Sequence, residues 1–244
     1  MRASRGHRIP AVVAGMVLLL AAPPAHALLM QVVDDQIIMS GETQHGDFER
    51  FKRLLVENEG RITTVVMRDG LGGAAAPTLH IGSAIRRLGL RTAVSGRCFS
   101  SCAYIFLGGI ERHFSDEQSP FRTYLAFHPG FFNGHTDPAL NGTSHVWIRN
   151  YTDGRINPQL LERIMLVRRP AGAVYFFDSA RLRREDGVSI FACTGYETRR
   201  VDDCEKWAGW DSYEQGIVTS RELVKVKGPP PPPTSFVTTA EEPD

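Results

Sequence analysis

Apolar positions in this chain fall into short blocks that switch repeatedly between a period of two and a helical period. Met30–Val33 and Gln36–Ser40 flank Asp34-Asp35 and predict a β-hairpin. Phe48, Phe51, Leu54 and Leu55 then share one helical face, with Asp47 at the cap position and Gly60 as a stop. Ile62 to Met67, "ITTVVM", is a β-branched run that reads as a buried strand opening into the loop Asp69-Gly70-Leu71-Gly72-Gly73. A second helix puts Leu79, Ile81, Ile85 and Leu88 inward and stops at Gly89. Arg91 to Val94 reads as a short strand, Ala103 to Leu107 as an apolar helix, and Tyr124 to Phe127 as a strand ending in His128-Pro129-Gly130.

Phe131 to Thr143 is rich in Gly, Asn, Asp and Pro and reads as a loop or lid. An amphipathic helix follows from Pro158 to Val167, then a strand at Tyr175–Phe177 and a helix capped by Asp178 and running to about Glu185. Strands alternating with helices define an α/β fold over residues 28–187. Residues 188–226 lose this rhythm, hold two cysteines and two tryptophans, and read as a C-terminal extension. Residues 227–244, with Pro229 to Pro233 in a row, read as a disordered Pro-rich tail. No fixed-period repeat is present.

At 244 residues the chain suits one domain with a sizeable core plus an appendage. The net charge of +1 gives no bulk signal for nucleic acid or a membrane surface as partner. Arg2, Arg5 and Arg8 precede the apolar run Ala11–Ala22, which is too short to span a bilayer, and Ala25-His26-Ala27 is a small-x-small cleavage site. Residues 1–27 therefore read as a signal peptide, with a mature start at Leu28 and an exported, periplasmic or secreted product. No other segment is long and apolar enough to cross a membrane.

Export bears on the four cysteines, since an oxidising compartment favours disulfides. Local pairing, Cys98 with Cys102 and Cys193 with Cys204, is the simplest of the three connectivities. A bridge between Cys193 and Cys204 would add ~2–3 kcal/mol. A zinc site is the competing use, but the C-x3-C and C-x10-C spacings do not fit the common ribbon patterns.

Three pieces, each after a predicted strand, can carry chemistry. Gly73 of the Gly72-Gly73 pair can bring a backbone N–H close to a substrate carbonyl; as an isolated pair it is equally an ordinary turn. Ser100, in "GRCFSSCAYIFLGG", sits where a strand meets a helix, with the Ser101 N–H beside it; either serine can instead be a helix cap. His128 can act as general base toward Ser100, or can simply bond to backbone at a strand end.

The segment "GRCFSSCAYIFLGG", with "MRDGLGG" before it and "LAFHPG" after it, resembles the Clp protease proteolytic subunit of the Clp/crotonase superfamily. It is closer still to the predicted periplasmic Clp-like proteins of bacteria, which carry a Cys-x-Ser-x-Cys variant. The resemblance runs from Met30 to Gly187 and implies a spiral of ββα units. It implies Ser100 as nucleophile, His128 as base, and the N–H groups of Gly73 and Ser101 as oxyanion donors. The Ser100-to-His128 spacing along the chain suits the family. The resemblance also implies peptide or protein substrates, no metal or organic cofactor, and a fold that often forms homo-oligomeric rings or trimers.

The chain departs from that pattern in two places. Gly70-Leu71 stands where the family usually has Ser-Pro, and the position of the family's catalytic aspartate, near Ala173 or Val174, is apolar. Asp178 is the nearest acid and is also a natural helix cap. A Ser–Lys dyad is disfavoured, because no lysine lies between Lys52 and Lys206.

The expected function is an exported Clp-like serine hydrolase, a peptidase using a Ser–His pair. The alternative is a non-catalytic envelope protein that binds a partner on the same fold. A metal set of His128, His135, Asp137 and His145 is irregularly spaced. Asn141 and Asn150 head glycosylation-type triplets, and the arginine pairs such as Arg168-Arg169 and Arg183-Arg184 read as solvated faces.

Overall fold

A computed structural model describes residues 28–197 and 200–229. Residues 1–27, read above as a signal peptide, and residues 230–244 lie outside the described residues. The hairpin forms as the pattern predicts: β1 (Leu29–Val33) pairs antiparallel with β2 (Gln36–Thr43), and Asp34 takes the left-handed turn at φ 52°. Helix α1 (Asp47–Glu57) follows. Its N-cap is Gly46, not Asp47. Asp47 is the first helical residue; its buried carboxylate accepts the Gln44 N–H at 2.6 Å and pairs with Arg50 at 2.9 Å.

Strand β3 (Thr64–Gly73) extends through the whole glycine run that the sequence assigns to a loop. Glycine has little strand preference of its own, but here backbone partners stand on both sides. Gly72 and Gly73 pair with Glu42 and Thr43 of β2, and Gly70 pairs with Cys98 of β4 (Arg91–Phe99). The register shifts between Arg68 and Gly70, with Asp69 at φ 51°. Between β3 and β4 runs α2 (Ala75–Arg87), which buries Ile81 and Ile85. Leu88, expected inward, falls after the helix end and is exposed.

Among the described residues the main sheet has nine strands, eight of them in the order β1-β2-β3-β4, then β6 (Tyr124–Phe127), β9 (Ala173–Phe177), β10 (Ile190–Cys193) and β11 (Glu205–Lys206), with the ninth paired to β4 off this path. Strands β2, β3, β4 and β6 are parallel; the flanking strands are antiparallel. On the side away from β3, strand β4 serves two neighbours. Its first half pairs with β5 (Arg112–Phe114) and its second half with β6, the two halves parting around Gly96 at φ 74°. This is a mixed α/β architecture, with α3 (Ser101–Phe106) inserted directly after β4.

Two further segments, residues 131–143 and the helix capped by Asp178, differ from expectation. Residues 131–143 are not one loop: β7 (Phe131–Phe132) and β8 (His135–Thr136) form a small hairpin, and α4 (Pro138–Tyr151) begins at once. Asp137 caps α4 by accepting the Leu140 N–H, and Pro138 fits the first turn, so local cap chemistry overrides the Gly and Asn content. Helix α5 (Pro158–Met165) matches the pattern, while α6 (Ser179–Leu182) is shorter than predicted.

The region after 188 is not an appended layer, since β10 pairs directly with β9 in the main sheet. Ile217 and Val218 join the main core, and Val224 and Val226 pack with Val33 over Ile38, Val66 and Ala93. Buried Arg112 of β5 clamps this return strap, donating to the carbonyls of Gly109, Gly216 and Ile217 at 2.7–2.9 Å. The strap also continues past the expected tail boundary. Lys227 Nζ reaches Asp35 at 2.6 Å, and the Pro229 carbonyl accepts from Arg68 at 3.1 Å.

Candidate functional site

Strand β4 ends at Phe99 and α3 starts at Ser101, so the chain reverses over Ser100 alone. Ser100 has φ 57° and ψ −125°, a conformation that costs a residue with a Cβ about 1–3 kcal/mol. A strand–Ser–helix turn of this kind is how a nucleophile elbow exposes its hydroxyl. Ser100 makes no side-chain cap hydrogen bond, so its hydroxyl is not spent on the helix. Backbone contacts hold the turn: Ser100 N–H donates to Ala126 O at 2.9 Å, and Ala103 N–H to Ser100 O at 2.8 Å.

The Cys98–Cys102 disulfide closes over the turn, with Cα atoms 5.2 Å apart. It is packed against Gly70, where an added Cβ would lie 2.7 Å from the Cys102 Cβ. A side chain at residue 70 is therefore excluded for a steric reason: the bridge occupies its space. Cys193 and Cys204 form the second disulfide, so both pairs are local.

Gly72 lies alongside the nucleophile candidate: a Cβ there would be 2.9 Å from Ser100 Cβ and 3.3 Å from Ser100 Oγ. Gly72 and Gly73 have φ 109° and 118°, torsions open to glycine. Ser101 is buried, and its hydroxyl donates to the Gly73 carbonyl at 2.8 Å. As the first residue of α3, Ser101 has no intrahelical acceptor for its N–H.

His128 lies just beyond the end of β6, on the strand adjacent to β4. Phe99 pairs with Ala126, and His128 follows two residues later, so the parallel register carries Ser100 and His128 to the same end of neighbouring strands. His128 is buried between the rings of Phe99 and Phe131, with centroids at 5.0 and 5.1 Å. Its Nδ1 lies 2.7 Å from the Pro129 carbonyl. A carbonyl only accepts, so Nδ1 carries the proton and Nε2 keeps its lone pair. Burial pushes the imidazole pKa below its ordinary value, and the Pro129 carbonyl opposes this in part. Tyr104 OH donates to the His128 carbonyl at 2.8 Å, fixing the backbone beneath the ring. Among the described residues, no hydrogen bond joins Ser100 Oγ to the His128 ring.

Asp178 is not brought to His128. Strand β9 runs antiparallel to β6, with Phe177 opposite Tyr124 and Val174 opposite Phe127. Continuing that register puts Ala173 opposite His128, and Asp178 roughly 16 Å along the strand from that level. Its carboxylate accepts the Ala180 N–H at 3.1 Å and caps α6. Burial raises its pKa, against the lowering effect of the Ala180 N–H and Arg181. The group that orients His128 is instead the Pro129 carbonyl.

Asp137 serves as the α4 cap, and among the described residues no group of three His, Cys, Asp or Glu side chains could hold a metal ion. Sequence reasoning missed Tyr104 and the Ser101 hydroxyl. Tyr104 stands four residues after Ser100, one helical turn on, which is the only hint the sequence offers.

Fold and site together define a mixed α/β protein with a serine at a strand-to-helix elbow and a buried histidine on the next strand. No family model matches the chain, and no curated protein matches it. Among solved structures it is similar to a 1510-N membrane-bound stomatin-specific protease in mutant form, at 16% identity and a TM-score of 0.39, over 54% of this chain and 67% of that one. Among the described residues no helix is long and apolar enough to cross a membrane.

Proposed function

We propose that this chain is an exported serine hydrolase of the Clp-like kind, acting on peptide bonds of a peptide or protein. Ser100 Oγ attacks the carbonyl carbon while His128 Nε2 takes its proton, giving a tetrahedral oxyanion. The N–H groups of Gly73 and Ser101 receive that oxyanion, and His128 returns the proton to the leaving amine as the acyl–serine forms. Water then repeats the sequence and frees Ser100.

The observation that carries the reading is the backbone of Ser100: a costly conformation in a turn where the serine caps nothing, with Gly72 against its side chain. Burial keeps His128 neutral at neutral pH, as a general base requires. The open Ser100–His128 pair is compatible with a site that tightens when substrate binds. The two disulfides fit export into an oxidising compartment.

One observation favours a second reading, a partner-binding protein without catalysis: the β6–β9 register, continued by one residue, puts Ala173 opposite His128, and among the described residues no acid is hydrogen-bonded to the imidazole. Covalent labelling of the folded protein with a fluorophosphonate decides between them. The hydrolase reading expects labelling that is lost in Ser100→Ala and falls at least ~100-fold in rate in His128→Ala. A folded, oxidised protein that does not label establishes the binding reading.

A further inference from the structure

Gly72 and Gly73 have no side chains to resist rotation, and both sit at positive φ. If this turn rolls over, a carbonyl replaces the N–H beside Ser100 and the oxyanion loses a donor. The ladder to Glu42 and Thr43 of β2 holds one edge of this strand end, and the side facing Ser100 needs a holder of its own.

Two hydrogen bonds grip the Gly73–Ala74 peptide, one at each end. The Ala74 N–H donates to Thr43 O at 2.8 Å, and the Gly73 carbonyl accepts the Ser101 hydroxyl at 2.8 Å. The first continues the β2–β3 ladder. The second comes from the residue next to the nucleophile, whose own N–H is the other proposed donor. Ser101 is buried, so water competes poorly for this bond.

We infer that the Ser101 hydroxyl is a positioning group: by holding the Gly73 carbonyl it fixes the residue whose N–H is the first oxyanion donor, so that both halves of the oxyanion hole are set by one residue. This rests on the hydrolase reading for its catalytic consequence, but the lock itself is a physical property of the folded chain. A plain buried serine that only satisfies its own hydroxyl would leave the turn unchanged when replaced.

The test compares wild type with Ser101→Ala and Ser101→Thr by two measurements. The first is hydrogen exchange at the Gly73 and Ala74 amides, read by NMR. The lock predicts at least ~10-fold faster exchange in Ser101→Ala and near wild-type exchange in Ser101→Thr, which keeps a hydroxyl. The second is steady-state hydrolysis of a p-nitrophenyl ester. Here kcat falls ~10–100-fold in Ser101→Ala with KM within about twofold, and Ser101→Thr recovers most of it.

Unchanged exchange in Ser101→Ala overturns the lock. Faster exchange with unchanged kcat overturns its catalytic role. Equal losses in Ser101→Ala and Ser101→Thr make the effect steric and overturn the hydroxyl's part. A wild type inert to both ester and fluorophosphonate defeats the hydrolase reading and the catalytic role with it, while the exchange data still decide the lock.

Discussion

Gly70 and Cys102 share one space: a Cβ on residue 70 would come within 2.7 Å of the Cys102 Cβ and closer still to its sulfur. The glycine and the disulfide over the serine turn are therefore one feature. Gly70→Ser should lower stability by about 1–3 kcal/mol, the usual cost of overpacking a filled core. In Gly70→Ser carrying Cys98→Ala and Cys102→Ala, the added loss should shrink relative to the double cysteine variant alone. Urea unfolding of the four proteins checks it; equal losses with and without the bridge would disprove the steric link.

Ser100 stores backbone strain that glycine would not. Ser100→Gly should remove fluorophosphonate labelling and yet raise stability by ~0.5–1 kcal/mol relative to Ser100→Ala. Thermal melts of the two inert variants provide the comparison. A Ser100→Gly protein that melts lower than Ser100→Ala contradicts the strain.

His128 ties activity to pH through its burial. Its folded pKa lies below the ordinary value of 6.5, so the unfolded chain binds a proton first as pH falls. The stability held above that value is then lost progressively as pH drops through the folded pKa. The acid limb of kcat/KM should have its midpoint below 6.5. A pH–rate profile whose acid midpoint lies above that value rules out the neutral, buried base.

Asp178 should matter to α6 and not to chemistry. Asp178→Asn retains a capping oxygen and should label within about twofold of wild type. Asp178→Ala should lose ~1 kcal/mol through the lost cap. A labelling rate that collapses in Asp178→Asn would return this carboxylate to the site.

Arg112 should be among the costliest side chains to remove. Its guanidinium is buried with three carbonyls and no carboxylate in hydrogen-bonding contact, and burial lowers its pKa to about 10. Arg112→Met leaves those carbonyls unpaired and should cost ~3 kcal/mol or more. Limited proteolysis should then cut within the 217–229 strap, while β1–β4 stay resistant. Wild-type resistance of the strap would count against the clamp.

Much of the fold was legible from local pattern. The Asp34-Asp35 hairpin, the Tyr124–Phe127 strand and the amphipathic helix after Pro158 all show their period or turn chemistry directly. The glycine run of β3 was not, because its strand state comes from neighbours on both sides and not from its own residues. Helix α4 was hidden by Asn141 and Gly142, although Asp137-Pro138 announced its start. At the candidate site, spacing and resemblance name Ser100, His128 and Gly73 as candidates. The Pro129 carbonyl and the Ser101 hydroxyl could not, since their roles depend on torsions that the letters do not carry.

The strap fastened by Arg112 ends against the first hairpin: Lys227 meets Asp35, and Gly228 packs on Val33. Among the described residues, the last to leave the ribosome are thus needed to cover the first. Until they arrive, the outer face of Ile38, Val66 and Ala93 has no lid of Val224 and Val226. Covering of this face therefore waits for residues 224–228. In a chain that emerges from its N-terminus, the patch over Ile38, Val66 and Ala93 stays open to solvent until a segment nearly two hundred residues downstream of the first hairpin has followed it out.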